Sequence, residues 1–218
     1  MFSTSFLLIK WRRSHMALYL LVDSHEPTRH ILRRKLLASG QDVCEAKSGE
    51  EALEQLAASD VDVLLTELRL PEMDGVELLR IAKQRAPLTK QIVLTDYMQV
   101  HTLLAAVNAG NVSRMMTKPL KIDERILSIM IKIGDEVVET KQRKRNLVNH
   151  FESVLLSSNR PYCLFFEDGT IASQRSLIIS HFEQEMREED QIQRLEFPTQ
   201  FGTYILYQSV VGSITKPV

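Results

Sequence analysis

Short apolar runs and helical repeats of apolar residues alternate five times between Ala17 and Ile133. Residues 18–22 form a continuous apolar run, which indicates a strand that is covered on both faces. Residues 27–39 carry apolar side chains three or four positions apart, and this spacing predicts a helix that ends at Gly40. Strands that alternate with helices in this way need parallel crossovers, so the pattern predicts an open α/β sheet.

The remaining elements of this region continue the alternation. The predicted strands are residues 42–46, 61–66, 91–95 and 114–117, and the predicted helices are residues 76–86, 100–109 and a segment after Ser48. The segment Ser48-Gly-Glu-Glu51 has the spacing of a capping box, in which the first and last side chains bind the free backbone N–H groups of a helix start. It therefore marks where the second helix begins.

A long helical pattern follows Lys118 and Pro119. Apolar residues recur every three or four positions over residues 122–137 and again over residues 147–155, with basic residues between the two stretches. This pattern predicts a fifth helix that continues into a connector, with a weak point at Gly134. The apolar positions could also form a coiled-coil homodimer, although the basic interruption argues against a continuous seam.

Residues 160–218 predict a second, small α/β region. Residues 162–166 and 203–211 have strand-like patterns, and residues 173–187 have the spacing of an amphipathic helix. About 60 residues give only a marginal core, so this region is expected to pack on the connector or on a partner. The predicted organisation is a disordered extension at 1–15, a first domain at 16–133, a helical connector at 134–159 and the small region at 160–218.

Composition narrows the possible classes of protein. The 218 residues carry a formal net charge of −1, with 44% hydrophobic and 25% charged residues, which is typical of a globular protein and gives no sign of a nucleic-acid or membrane partner. The two cysteines, Cys44 and Cys163, are far apart in sequence and indicate a reducing compartment rather than a disulfide framework. The six histidines do not fall at the spacing of metal ligands.

One segment carries a specific resemblance. The stretch Val61-Asp-Val-Leu-Leu-Thr-Glu-Leu-Arg-Leu-Pro-Glu-Met-Asp-Gly75 resembles the third strand and following loop of two-component response regulator receiver domains. In that family an aspartate at the end of this strand accepts a phosphoryl group, four residues before a proline. Here the proline is Pro71, and Glu67 occupies the acceptor position. The resemblance extends from Ala17 to Ile133 and implies a five-stranded, doubly wound parallel sheet of the flavodoxin-like type, with strand order 2-1-3-4-5.

The other functional positions of the family are matched in part. The family holds Mg²⁺ with two adjacent acids after the first strand, and this chain has Asp23 followed by Ser24. Thr95 and Lys118 match the two residues that contact the phosphoryl group in the family. Met115 stands where the family often has an aromatic switch residue. The resemblance therefore implies a receiver domain with a degenerate site.

These substitutions predict that phosphoryl transfer is lost. Ser24 removes one charge from the metal site, so Mg²⁺ binding is expected to be weak or absent and no cofactor is predicted. Glu67 carries its carboxylate farther out by one bond, ~1.5 Å, to where a phosphoryl oxygen would lie near Lys118 and Thr95. Asp96 adds negative charge where an incoming phosphate would pass, at a position that is usually small in the family.

Two interpretations of Glu67 stay open. Its carboxylate either mimics a phosphorylated aspartate by pairing with Lys118 and Thr95, or it marks a switch that has decayed in a domain kept for docking. A glutamate has one charge and two oxygens where a phosphoryl group has nearly two charges and three oxygens. Any mimicry is therefore partial.

The sequence predicts an atypical response regulator, or pseudo-receiver, that binds a protein of a signalling pathway without depending on phosphorylation. Such contacts usually involve the fourth helix, fifth strand and fifth helix of a receiver. The residues predicted on that face are Val100, Leu103, Leu104, Val107, Ile122 and Ile126. The alternative is a DNA-binding transcriptional response regulator with residues 140–218 as its output, supported by the basic cluster at 141–145. Nothing in the sequence indicates an enzyme, and the resemblance implies a cytoplasmic protein without a membrane partner.

Overall fold

A computed structural model describes residues 16–96, 100–118, 122–157, 162–166 and 192–209. The chain forms two compact units, Met1–Lys141 and Gln142–Val218. The extension predicted at 1–15 and the helix predicted at 173–187 lie outside the described residues. Every helix in the described ranges is too short or too polar to cross a lipid bilayer.

The first unit is built on a parallel five-stranded sheet. Its strands are β1 (Leu18–Val22), β2 (Asp42–Ala46), β3 (Val63–Thr66), β4 (Lys90–Thr95) and β5 (Val112–Thr117). They lie in the order β2-β1-β3-β4-β5, and all four neighbouring pairs are parallel. The predicted flavodoxin-like order is therefore confirmed.

Helices cover both faces of this sheet. They are α1 (Glu26–Ala38), α2 (Gly49–Ala58), α3 (Gly75–Arg85), α4 (Val100–Ala109) and the first part of α5 (Glu124–Ser157). Leu20 and Val22 of β1 belong to the core on the side of α2, α3 and α4, whereas Tyr19 and Leu21 belong to the core on the side of α1 and α5. The continuous apolar run in β1 follows from this double coverage, because neighbouring residues of a strand face opposite sides of the sheet.

Polar side chains fix where α2 and α3 begin. The Ser48 hydroxyl accepts the Glu51 N–H at 3.3 Å, as the capping box predicts, while the Glu51 carboxylate accepts the Lys47 N–H at 2.8 Å. At the start of α3 the Asp74 carboxylate accepts the Val76 N–H at 2.9 Å. Caps of this kind are each worth about 1 kcal/mol, and the Asp74 cap fixes the end of the loop that follows Glu67.

The long helix predicted after Lys118 passes Gly134, its predicted weak point, without a break. Helix α5 is continuous over 34 residues, and Gly134 is buried where the helix crosses β1. A Cβ at Gly134 would lie 2.4 Å from Tyr19 Oη and 2.8 Å from the Ala17 Cβ, so only glycine permits this close approach. The boundary predicted at residue 133 falls inside α5, and the first unit extends to Lys141.

The second unit contains the end of α5 and a three-stranded antiparallel sheet. Its strands are β6 (Tyr162–Phe166), β7 (Ile192–Thr199) and β8 (Gly202–Ser209), in the order β6-β8-β7. The sequence predicted β6 and β8 but not β7. Leu195 lies between the charged residues Arg194 and Glu196, and Pro198 after Phe197 discourages a strand assignment. The proline is tolerated because β7 is an edge strand.

Aromatic side chains dominate the core of the second unit. Phe151 of α5 packs with its ring centroid 5.6 Å from that of Tyr204 and 5.4 Å from that of Phe197. Leu147 and Val148 of α5 join the same core. These α5 residues were the predicted continuation of a coiled-coil seam, and here they pack inside their own unit. The homodimer through this helix stays a prediction, and it would have to compete with this core.

Candidate functional site

A pocket of about 630 Å³ opens at the carboxyl ends of the central strands of the first unit. Parallel strands bring their last residues to one edge of the sheet, which is where α/β proteins of this type hold their ligands. The pocket is lined by Asp23 and Ser24 after β1, by Glu67 after β3, by Asp96 after β4 and by Lys118 after β5. The predicted site residues Asp23, Ser24, Glu67 and Lys118 are thus brought together.

The Glu67 carboxylate is buried, and both of its oxygens have partners. The side chain is 6% exposed. Oε1 accepts the backbone N–H groups of Leu68 at 2.6 Å and Arg69 at 3.3 Å, while Oε2 lies 2.6 Å from the Lys118 ammonium. The backbone N–H of Glu67 donates to the Val22 carbonyl at 2.9 Å, which continues the pairing of β1 with β3. Glu67 therefore folds back over its own loop and holds Lys118.

Lys118 lies between two carboxylates. Its Nζ atom is 2.7 Å from Asp23 Oδ2 and 2.6 Å from Glu67 Oε2, and its side chain is only 19% exposed. The backbone N–H of Lys118 donates to the Thr95 carbonyl at 3.0 Å, which fixes the start of the loop after β5. Burial on its own would lower the pKa of Lys118, but the hydrogen bonds to Asp23 and Glu67 outweigh it and the pKa is raised.

The pocket does not fit the Mg²⁺ ion that the family resemblance implies. Asp23 Oδ1 accepts the His25 N–H at 2.9 Å and Asp23 Oδ2 contacts Lys118, so this carboxylate is already committed to protein donors. Both oxygens of Glu67 are committed in the same way. Ser24 is exposed and adds no charge. In the described part of the chain, no group of three or more acidic, histidine or cysteine side chains is placed to hold a metal ion.

The charges of the pocket disfavour an incoming anion. Asp23, Glu67 and Asp96 contribute three carboxylates, and Lys118 and Arg69 contribute two cations, which leaves one net negative charge. Asp96 and Arg69 are exposed at the rim, whereas Asp23 and Glu67 are buried. A phosphoryl donor would therefore approach an exposed carboxylate and a lysine whose charge is already neutralised.

The loop after β3 depends on Gly75, which the sequence reasoning did not single out. The Gly75 N–H donates to the Leu68 carbonyl at 2.9 Å. A Cβ at Gly75 would lie 2.5 Å from the carbonyl oxygen of Glu67 and 2.6 Å from the Leu68 Cα. The same loop holds Glu72 in the left-handed region, with φ of 67°. The Asp-Gly pair that ends the motif was the available signal for such a turn.

Two of the remaining predicted site residues lie away from the pocket lining. Thr95 is buried at the end of β4, and its carbonyl receives the Lys118 N–H. Met115 is half-buried in β5 and packs against the core on the side of α2, α3 and α4. Met115 therefore occupies the switch position as an ordinary packing residue in this structure.

The predicted partner face is partly apolar at its surface. Leu104 and Val107 of α4 are 58% and 49% exposed. Ile122 and Ile126 are half-buried against the core beneath α5, and Ile126 also joins Val107 in lining a groove of about 580 Å³ beside the edge strand β5. The structure does not describe the side chains of the other two predicted contacts, Val100 and Leu103.

Comparison with curated proteins identifies relatives of the first unit. The family model of the response regulator receiver domain matches residues 19–130. The DNA-binding transcriptional regulator NtrC of Escherichia coli K12 is 32% identical over 127 residues, which are 58% of this chain and 26% of that protein. The transcriptional regulatory protein ZraR of the same organism is 34% identical over 104 residues, covering 48% of this chain and 23% of that protein. The chain thus spans about a quarter of the length of these relatives.

Solved structures agree with the fold. A CheY-like response regulator receiver domain protein from Methanospirillum hungatei JF-1 is 26% identical, with a TM-score of 0.53, and the match covers 58% of this chain and 98% of that one. The beryllofluoride-activated NtrC4 receiver domain dimer is 25% identical, with a TM-score of 0.51, and the match covers 56% of this chain and 99% of that one.

Proposed function

The chain belongs to the response regulator receiver domain family, and from this premise we propose that it is a signal-transduction regulator whose receiver works without phosphoryl transfer. The observation that carries the proposal is the position of Lys118, whose ammonium is shared by the buried carboxylates of Asp23 and Glu67. A phosphoryl group would have to displace one of these carboxylates to reach the lysine. The proposal assigns the chain no enzymatic activity, and a cytoplasmic location stays a prediction from the family.

The contact between Glu67 and Lys118 favours the mimicry interpretation over simple decay of the site. Burying a charge is costly unless partners compensate for it. The buried Glu67 carboxylate has such partners, namely backbone N–H groups and the Lys118 ammonium, and a site that had merely decayed would not be expected to keep them. We infer that the Glu67 carboxylate is a fixed charge that holds Lys118 permanently. The mimicry is partial, since one carboxylate supplies fewer oxygens than a phosphoryl group.

The loss of phosphoryl transfer predicts insensitivity to a phosphoryl analogue. Mg²⁺ with beryllofluoride is expected to leave the amide NMR spectrum of the full chain unchanged, because the oxygens of Asp23 and Glu67 are occupied by protein donors. The matched control is the triple variant Ser24→Asp, Glu67→Asp and Asp96→Ala, which restores the family pattern and is expected to respond. Saturable shifts at residues 23, 67 and 95 of the unaltered chain would refute the proposal.

The output of the receiver has two candidates. NtrC and ZraR are named as transcriptional regulators, so the relatives support the DNA-binding alternative better than the protein adaptor predicted first. We therefore propose transcriptional regulation as the output, with Arg143 and Arg145 as exposed basic residues on α5. The adaptor is the second candidate, and the exposure of Leu104 and Val107 on α4 favours it.

Capture of bound material by the immobilised full chain separates these outputs. If the output is transcriptional, specific DNA fragments are expected to be recovered, to vanish with nuclease and to be lost in the variant Arg143→Ala with Arg145→Ala. The matched control is Leu104→Glu with Val107→Glu, which should leave the DNA bound. A protein that survives nuclease and is lost only from the α4 variant would overturn the transcriptional output in favour of the adaptor.

A further inference from the structure

A lysine at the end of the sheet opposite the pocket joins α5 to the segment before β3. The Lys141 Nζ atom lies 2.5 Å from Asp60 Oδ1, 2.9 Å from Asp62 Oδ1 and 2.9 Å from the Val61 carbonyl oxygen. The oxygens of Asp60 and Val61 accept hydrogen bonds from the ammonium, and Asp62 Oδ1 contacts it as an ion pair. Contacts between residues about 80 positions apart in sequence cannot arise from the helix alone, so they are tertiary anchors.

Asp62 extends this anchor into the sheet. Its side chain is 1% exposed, and its second carboxylate oxygen accepts the Leu18 N–H at 2.8 Å. The Lys141 side chain is 11% exposed, while that of Asp60 is 64% exposed. A buried charged pair of this kind is sensitive to the loss of either partner, because the remaining charge has no water to replace it. Asp62 therefore links the start of β1 to α5.

The anchor lies on the face of α5 that already contacts the sheet. The Met130 carbonyl accepts the Tyr19 hydroxyl at 2.8 Å, Gly134 lies against Tyr19, and Val137 is 3% exposed. Spacings of three and four residues place these positions and Lys141 on one stripe of the helix. Helix α5 therefore stays docked on the sheet as far as Lys141.

The stretch of α5 around Lys141 has no apolar stripe of its own. Between Val138 and Leu147 every residue is polar or charged. Isolated polar helices are marginal in water, and most helical stability in proteins comes from packing of an apolar face. Lys141 supplies a tertiary contact on the first-unit side of this stretch, and Lys144 supplies one within the second unit, where its Nζ atom lies 3.9 Å from the centre of the Phe166 ring.

We propose that Lys141 is a polar clamp that keeps residues 139–146 of α5 helical. Loss of its contacts with Asp60, Val61 and Asp62 would then unwind this stretch locally while the sheet stays folded. In this stretch the contacts of one ammonium with three oxygens take the place of apolar packing. An ammonium suits this arrangement because its three N–H groups radiate from one compact nitrogen, whereas a guanidinium spreads its donors over three nitrogens in one plane. The inference goes beyond the proposed function and does not depend on it, since the clamp lies at the opposite end of the sheet from Glu67.

Hydrogen exchange of the full chain, followed by mass spectrometry, tests the clamp. The variant Lys141→Met is expected to raise amide exchange over residues 139–146 by about tenfold or more, because it removes charge-assisted hydrogen bonds from the helix. The matched control is Lys132→Met, which removes an exposed lysine from the same helix and should leave exchange unchanged. Asp60→Asn, which keeps the buried Asp62 pair, is expected to raise exchange by a smaller factor of about three.

A second variant separates the clamp from general destabilisation. Lys141→Met leaves Asp62 buried without its cation and could weaken the whole sheet, so Asp62→Asn is combined with it to remove both charges. Increased exchange confined to residues 139–146 in this double variant supports the clamp. Exchange that returns to the unaltered level in the double variant, or that rises equally across β1 and β3, would overturn it. The readout is independent of phosphorylation and partner binding, so failure of the proposed function leaves the result interpretable.

Discussion

Replacement of Lys118 by methionine is expected to lower the free energy of unfolding by about 3–5 kcal/mol. The substitution keeps a long apolar stem but removes the ammonium between Asp23 and Glu67. Both carboxylates are 6% exposed, and Lys118 Nζ is within 2.7 Å of each. Without the cation, two buried negative charges face each other with no charge to compensate them. Removing one partner of a buried pair therefore costs far more than removing an exposed lysine.

Urea denaturation of the full chain, followed by circular dichroism, measures this effect. Lys132→Met is the matched control, since Lys132 is an exposed lysine of α5, and its loss should change the unfolding free energy by less than about 0.5 kcal/mol. Adding Glu67→Gln to Lys118→Met removes one of the stranded charges and is expected to recover at least about 1 kcal/mol. If Lys118→Met has the same unfolding free energy as the control, the ion pairs of Lys118 do not contribute to the stability of the folded state.

The difference in unfolding free energy between the unaltered chain and Lys118→Met depends on pH in a way that follows from the shift in the Lys118 pKa. Hydrogen bonds to Asp23 and Glu67 overcome the effect of burial and raise the pKa of Lys118 above its ordinary value of 10.5. A cation with a raised pKa stabilises the folded state fully below the unfolded-state pKa and loses that contribution as the pH rises through the folded-state value. The difference between the unaltered chain and Lys118→Met should therefore stay level from about pH 7 to about pH 9 and shrink above 10.5.

Local patterns predicted most of the first unit because its elements are determined by local chemistry. The apolar run of β1, the Ser48 cap of α2 and the bounds of α4 depend on residues that are near one another in sequence. The strand order and the grouping of Asp23, Glu67 and Lys118 came from the family resemblance. Once the order is known, parallel strands must bring their carboxyl ends to one edge, so the location of the pocket follows.

Features that depend on long-range contacts were missed or misread. Gly134 looked like a helix breaker because its low propensity is visible in the sequence, whereas its approach to Tyr19 is visible only in the fold. Lys141 belonged to a basic cluster that supported the DNA-binding alternative, yet it is bound by Asp60 and Asp62. The spacing of apolar residues along a helix or strand gives no information about contacts between residues about 80 positions apart, such as Lys141 and Asp60. In the second unit β7 escaped prediction because an edge strand tolerates a proline and charged residues.

Replacement of Gly75 by alanine is expected to lower the free energy of unfolding by about 2–3 kcal/mol. In an exposed helix the same substitution stabilises by roughly 1 kcal/mol, because alanine has the higher helix propensity. At Gly75 the sign is reversed, since the new Cβ would lie 2.5 Å from the Glu67 carbonyl oxygen and 2.6 Å from the Leu68 Cα. These are backbone atoms, so the loop itself has to move and cannot relieve the clash by a rotamer change.

Gly49→Ala is the matched control for this substitution. Gly49 and Gly75 each occupy the first position of a helix, but a Cβ at Gly49 would meet the Met73 side chain at 2.8 Å. A rotamer change moves the Met73 Sδ away, and only the Met73 Cβ, at 3.0 Å, then has to shift by a few tenths of an ångström, so this variant is expected to lose no more than about 1 kcal/mol. Gly75→Ala should also shift the amide NMR signals of Leu68 and Arg69, whose N–H groups donate to the Glu67 carboxylate. Equal stability of the two variants would show that the loop after β3 adapts freely. The loop would then not fix the position of Glu67, on which the pairing with Lys118 depends.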